Sequence, residues 1–213
     1  MSAPAAVRRE QSHLLVPPSA RTIRWGSFPV IAGVAALAVW NGARKGGDPA
    51  TVALPVATAL LCVWLCFLFE DAAAETTAGT PTPLLFRRSV RAAISIPAVT
   101  AVWFACAWIG PLTGPTAAMT GSFAAQVLVA LAAAAVTARV VGGPMGGLLA
   151  AGAVAFVALI VPVGVGRPPS VDPAHPPWGA PAVYWSAMAM LAVAVLALAH
   201  VDPAHPLARS RGR

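Results

Sequence analysis

Six stretches of this chain, residues 25–43, 49–69, 92–110, 117–138, 144–164 and 181–200, contain no Asp, Glu, Lys or Arg. Each is close to the roughly 20 apolar residues that an α-helix needs to cross a hydrocarbon core about 30 Å thick. In lipid a segment must satisfy its own backbone hydrogen bonds, which leaves helices and closed barrels as the only spanning structures. Stretches this long and this uniformly apolar read as helices rather than as barrel strands with alternating faces. The expected fold class is therefore all-α: a polytopic integral membrane bundle of six transmembrane helices. Composition supports the same class. Only 10% of the residues are charged and the mean hydropathy is +0.76, whereas soluble domains carry about 25% charged residues. With 58% hydrophobic residues, the chain is also too apolar for intrinsic disorder.

The remaining segments are short. Residues 1–24 read as a cytoplasmic tail, residues 25–200 as the transmembrane domain, residues 70–91 as a cytoplasmic connection, and residues 201–213 as a basic tail. None reaches the roughly 40 residues below which a soluble domain seldom stands alone. A separate catalytic domain is not expected, and the chain is read as a non-enzyme. The first span is not expected to be a cleaved signal, because a long segment precedes it and Arg44-Lys45 follow it. Basic residues are retained on the cytoplasmic side of a membrane. Eleven of the fourteen fall in segments that share a side with the N-terminus, leaving only Arg44, Lys45 and Arg167 opposite. Both termini are expected inside, in a multi-pass protein of the plasma membrane. The net charge of +7 then reflects topology and attraction to anionic lipid headgroups, with no nucleic-acid partner implied.

Within the spans the prevailing residues are small. Gly142/Gly146 and Gly143/Gly147 have the G-x-x-x-G spacing that lets helix backbones approach closely. Pro29, Pro55 and Pro97 remove backbone donors; kinks are expected at Pro55 and Pro97, while Pro29 suits a first helical turn. The polar residues nearest mid-membrane are Thr58, Ser95, Thr100 and Gln126, all uncharged. A carboxylate or imidazole relay of the kind that drives ion-coupled transporters is therefore not expected. Cys62, Cys66 and Cys106 fall in spans, where free cysteine packs as a small apolar residue. A pair of thiols is too few ligands for a metal, and no metal or cofactor site is expected. The hexapeptide Val-Asp-Pro-Ala-His-Pro occurs at 171–176 and 201–206, on opposite sides of the membrane in this topology. Each Asp-Pro reads as a turn or helix stop.

The connection at residues 70–91 carries the most chemistry. Helix is favoured from the second span through residues 70–78, with Gly79 as terminator. Thr80-Pro81-Thr82-Pro83 forms a turn, Thr82 serving as N-cap and Pro83 as first helical residue. The expected result is a cytoplasmic helical hairpin, acidic on one arm (Glu70, Asp71, Glu75) and basic on the other (Arg87, Arg88, Arg91). Those charges can pair across the hairpin. They can also form a docking element through which a soluble motor pushes on two spans.

With six spans, both ends inside, this Glu70-Asp71-x-x-x-Glu75…Thr80-Pro81-Thr82-Pro83…Arg87-Arg88-x-x-Arg91 stretch, and an Asp202-Pro203-Ala204 ending before an arginine-rich tail, the chain resembles the six-span permease-like membrane subunits of actinobacterial ABC-type exporters. The resemblance implies that the hairpin contacts an ATPase, that the subunit dimerises, and that it pairs with a cytoplasmic ABC ATPase. Two features depart from the family pattern: a proline-rich outer loop (Pro168, Pro169, Pro173, Pro176, Pro177) and the lack of an amphipathic elbow helix at the N-terminus. ATP binding falls to the separate subunit, because the sole lysine, Lys45, lies in no Gly-Lys-Ser/Thr loop. The alternative reading is a non-transporting membrane scaffold or regulator of an envelope complex. A lipid-modifying enzyme ranks last, its only candidates being Asp172 and His175 outside and Asp202 and His205 inside.

Overall fold

A computed structural model describes residues 23, 25–45, 53–69, 84–109, 117–141, 143–164 and 180–199. Among these the chain is all-helical, with six α-helices: α1 (Phe28–Arg44), α2 (Ala53–Cys66), α3 (Leu84–Ala107), α4 (Ala117–Val140), α5 (Gly143–Gly164) and α6 (Ala180–Ala199). A single 3-10 turn, Trp25–Ser27, leads into α1. Each helix overlaps one of the six charge-free stretches, and α3 also takes in residues 84–91 with Arg87, Arg88 and Arg91.

Three helical stretches are long and apolar enough to cross a membrane: Trp25–Arg44, Arg88–Ala107 and Met119–Val140, of 20, 20 and 22 residues. At 1.5 Å per residue they span about 30 to 33 Å, the thickness of a hydrocarbon core. The described apolar portions of the other three, Ala53–Cys66, Met145–Ala158 and Tyr184–Ala199, are shorter.

The second helix departs from expectation at both ends. Pro55 is the third residue of α2, in the first turn, where its missing N–H would have no intrahelical acceptor; it breaks no hydrogen bond of the ladder. At the other end α2 stops at Cys66 instead of running on. Phe67 N–H donates to the Trp64 carbonyl at 3.2 Å and Leu68 N–H to the Leu65 carbonyl at 3.0 Å, tightening the chain into a turn. The gain is burial: the turn tucks Leu68 and Phe69 into the core. The helix expected over residues 70–78, and the Thr82 cap, lie outside the described residues. Pro97 is inside α3 as expected, and Pro29 is in the first turn of α1.

Helix α2 is the hub. It lies against α1, α3, α4 and α5, and most of its residues are buried. Consecutive helices run antiparallel. Trp25 and Phe28, at the start of α1, meet Trp64 near the end of α2, with ring centroids 5.7 and 4.6 Å away. Trp103, late in α3, stacks on Phe123, early in α4 (4.5 Å, 16° between planes). Helix α5 packs on α4 through a small-residue seam. A Cβ added at Gly146 would stand 3.2 Å from the Thr137 carbonyl oxygen, so here the G-x-x-x-G spacing serves a close helix approach.

Helix α6 approaches α4 alone among the described residues. Gln126 and Trp185 line one small recess between these helices and α5. One end further on, Arg139 Nη1 donates to the Leu198 and Ala199 carbonyls at 3.1 and 2.9 Å. Arg139 lies 59 residues from Leu198 and Gln126 is the same sequence distance from Trp185 on the recess they share, so α4 and α6 run parallel. Arg139 caps the C-terminal carbonyls of α6, where a cation is favourable. Large apolar side chains remain exposed along the periphery, including Val30, Val34 and Leu37 on α1 and Met190, Leu191 and Leu198 on α6.

Candidate functional site

The residues singled out from the sequence flank the gap between α2 and α3. Glu70, Asp71, Glu75, Thr80 and Pro81 lie outside the described residues. Arg87 belongs to the first turn of α3. Arg88 is placed with its guanidinium carbon 5.5 Å from the centroid of the Phe69 ring, a cation–π approach. This contact draws the end of the α2 turn to the start of α3 and closes the base of the connection. Phe69 was not among the sequence candidates. Its signal is faint: an aromatic residue next to the first acidic pair, at the apolar edge of the stretch.

Arg91 differs from its expected setting. The sequence places it on a cytoplasmic arm, yet its side chain is buried, with 6% of its surface exposed. The cause is helical periodicity. Arg91, Ser95, Val99, Trp103 and Ala107 recur every four residues on one buried face of α3, and a residue one turn before Ser95 must share that face. The long aliphatic stem of arginine tolerates such a position.

Higher on this face a buried polar link joins two helices. Trp103 Nε1–H donates to Thr58 Oγ1 at 2.9 Å, and Thr58 Oγ1–H donates to the Leu54 carbonyl at 2.9 Å. The indole and the hydroxyl are thus both satisfied away from solvent, as buried polar groups require. Ser95 contrasts with them. It is fully buried and its hydroxyl has no hydrogen-bond partner. Thr100 and Gln126 are half-buried. Thr58 and Ser95 are visible in the sequence as polar residues within spans; their unequal satisfaction depends on which neighbour arrives.

The cysteines are free and buried. Cys66 Sγ–H donates to the Cys62 carbonyl at 3.3 Å, an intrahelical contact that needs no ligand. Among the described residues no three His, Cys, Asp or Glu side chains gather as metal ligands. The two Val-Asp-Pro-Ala-His-Pro segments lie outside them.

Across the described residues the fold and this geometry define an all-helical protein with three helices long and apolar enough to cross a bilayer. No family model, curated protein or solved structure matches the chain.

Proposed function

We propose that the chain is a six-span plasma-membrane protein with both termini in the cytoplasm, acting as the transmembrane subunit of an ABC-type exporter whose ATPase is a separate chain. Several features support the topology. Trp25 and Arg44 bracket one candidate span and Arg88 begins another, each about 30 Å long. Aromatic and basic side chains are the usual markers of the interface, and the Arg44 guanidinium lies 4.9 Å over the Trp40 ring at one such end. Alternating antiparallel neighbours, with α4 parallel to α6, agree with the fourth and sixth of six alternating crossings.

The observation that carries the functional reading is that the two described ends of the 70–83 connection meet beside the hub helix. Phe69 and Arg88 close the base of the connection between α2 and α3, and α2 touches four of the other five helices. A push on residues 70–83 by a cytoplasmic motor therefore arrives at the centre of the bundle. In this reading Glu70, Asp71, Glu75, Thr80, Pro81, Arg87 and Arg88 meet the ATPase, and the subunit works as a homodimer on a small or amphipathic substrate.

The test is co-purification in mild detergent, followed by charge reversal of Glu70, Asp71 and Glu75 to Lys. The exporter reading expects a Walker-bearing partner to co-purify. It also expects the triple variant to insert normally while losing stimulated ATP hydrolysis. No such partner under any nucleotide condition would refute it.

One observation favours the second reading, a non-transporting scaffold. The α4–α5 seam is tight at Gly146, where an added Cβ would stand 3.2 Å from the Thr137 carbonyl oxygen, a close approach that suits a static bundle. A scaffold leaves nucleotide turnover by any associated protein unchanged in the same charge-reversal variant.

A further inference from the structure

We propose that Gln126 of α4 pairs, amide to amide, with the same residue of a second copy of this chain, clasping two copies together near the middle of the bilayer. The inference rests on the membrane-spanning homodimer proposed above and needs no ATPase.

Depth is the first observation. The candidate span in α4 is Met119–Val140, and Gln126 stands about 5 Å from its midpoint at 1.5 Å per residue. In a hydrocarbon core about 30 Å thick the nearer headgroup layer is then about 10 Å away, beyond the reach of a glutamine side chain. Neither water nor a headgroup meets an amide at that level, and an unmet polar group in hydrocarbon is costly.

The second observation is that the bundle does not meet it either. On the same helix Ser122 and Thr137 turn their hydroxyls onto the Met119 and Ala133 carbonyls, at 2.9 and 2.8 Å. Gln126 is half-buried. Among the described residues its amide makes no hydrogen bond, and neither amide atom is enclosed. Helices α5 and α6 both lie on α4 but not on each other. Between them Gln126 lines a shallow notch with Val154 of α5 and Trp185 of α6.

These observations select the occupant. A primary amide carries both donors and an acceptor, so its simplest complement is another primary amide. Two copies inserted the same way, and related by a two-fold axis along the bilayer normal, bring residue 126 of each to one depth. Each amide N–H then donates to the other's carbonyl oxygen, and each side chain rests in the other's notch, whose remaining walls are apolar. Hydrogen bonds of this kind join helices where lipid removes the hydrophobic drive.

Förster transfer between donor- and acceptor-labelled full chains in phosphatidylcholine–phosphatidylglycerol vesicles, titrated in protein-to-lipid ratio, tests this. The wild-type chain is expected to dimerise. Gln126→Leu keeps the bulk and loses the amide, and is expected to weaken the dimer about threefold to fifteenfold, the worth of one interhelical hydrogen bond. Gln126→Cys is expected to give a disulfide-linked dimer under copper–phenanthroline oxidation. Gly152→Cys on the exposed side of α5 is not, and neither is the wild-type chain, whose cysteines are buried. A dimer changed less than about twofold by Gln126→Leu overturns the clasp and leaves the homodimer standing. A wild-type chain that stays monomeric overturns both, with the ATPase test untouched. If Gln126→Leu does not insert, the cross-link decides alone: none at 126, or as much at 152, overturns the pairing.

Discussion

The hydrogen bond between Trp103 and Thr58 permits a quantitative test of how this bundle is held together. Thr58→Val keeps the side-chain shape but removes the acceptor. It leaves the indole N–H buried without a partner, and an unmet buried donor costs about 1 to 3 kcal/mol. Trp103→Phe removes the donor instead. Thr58 then still donates to the Leu54 carbonyl, and the stack on Phe123 is retained in part. The expected loss is smaller, the about 1 kcal/mol of one net hydrogen bond plus a modest cavity term. In the double variant no donor is stranded, so the two costs do not add. Interhelical hydrogen bonds in membrane proteins average about 0.6 kcal/mol, with a maximum near 1.7. A coupling of about 1 kcal/mol is therefore expected here, because both groups are almost wholly buried. Reversible unfolding of the four proteins in one mixed-micelle system, followed by tryptophan-independent helix signal, measures the cycle. Strict additivity, with coupling below about 0.3 kcal/mol, would refute the link between α2 and α3.

Two further predictions concern the other seams. Gly146→Val places methyl groups against the Thr137 carbonyl, a backbone atom that cannot yield. It is expected to cost about 1 to 3 kcal/mol in the same unfolding assay, whereas Gly152→Ala, whose added carbon meets nothing within 4 Å, should be neutral or slightly stabilising. Arg139→Ala removes the two hydrogen bonds to the last carbonyls of α6. Hydrogen exchange near residues 195–199 is expected to rise severalfold, while overall stability falls by less than about 1 kcal/mol, since the arginine is exposed.

Much of the local structure was legible in the sequence. Charge-free stretches at 117–138, 144–164 and 181–200 became α4, α5 and α6 with ends shifted by one or two residues, because a long apolar run without Asp or Pro in its interior turns has few alternatives to helix. Boundaries failed where packing intervened. Helix α2 ended early to bury Leu68 and Phe69, whereas α3 begins at Leu84, one residue after the start expected at Pro83. Of the candidate site, Arg88 stands at the base of the connection, and Phe69 beside it was missed, since one aromatic residue at the edge of an apolar run carries no pattern.

By itself the sequence determined that the chain is helical and where its six helices lie, since backbone satisfaction in apolar surroundings is a local matter. Only the tertiary structure decided that, among the described residues, α2 sits at the centre, α6 rides on α4, and Arg91 is buried while the buried Ser95 hydroxyl has no hydrogen-bond partner. Alanine-rich helices are apolar all round, so their composition names no inward face. Which side meets which neighbour is settled by the fit of particular atoms, such as Gly146 against Thr137 and the Trp103 indole between Thr58 and Phe123.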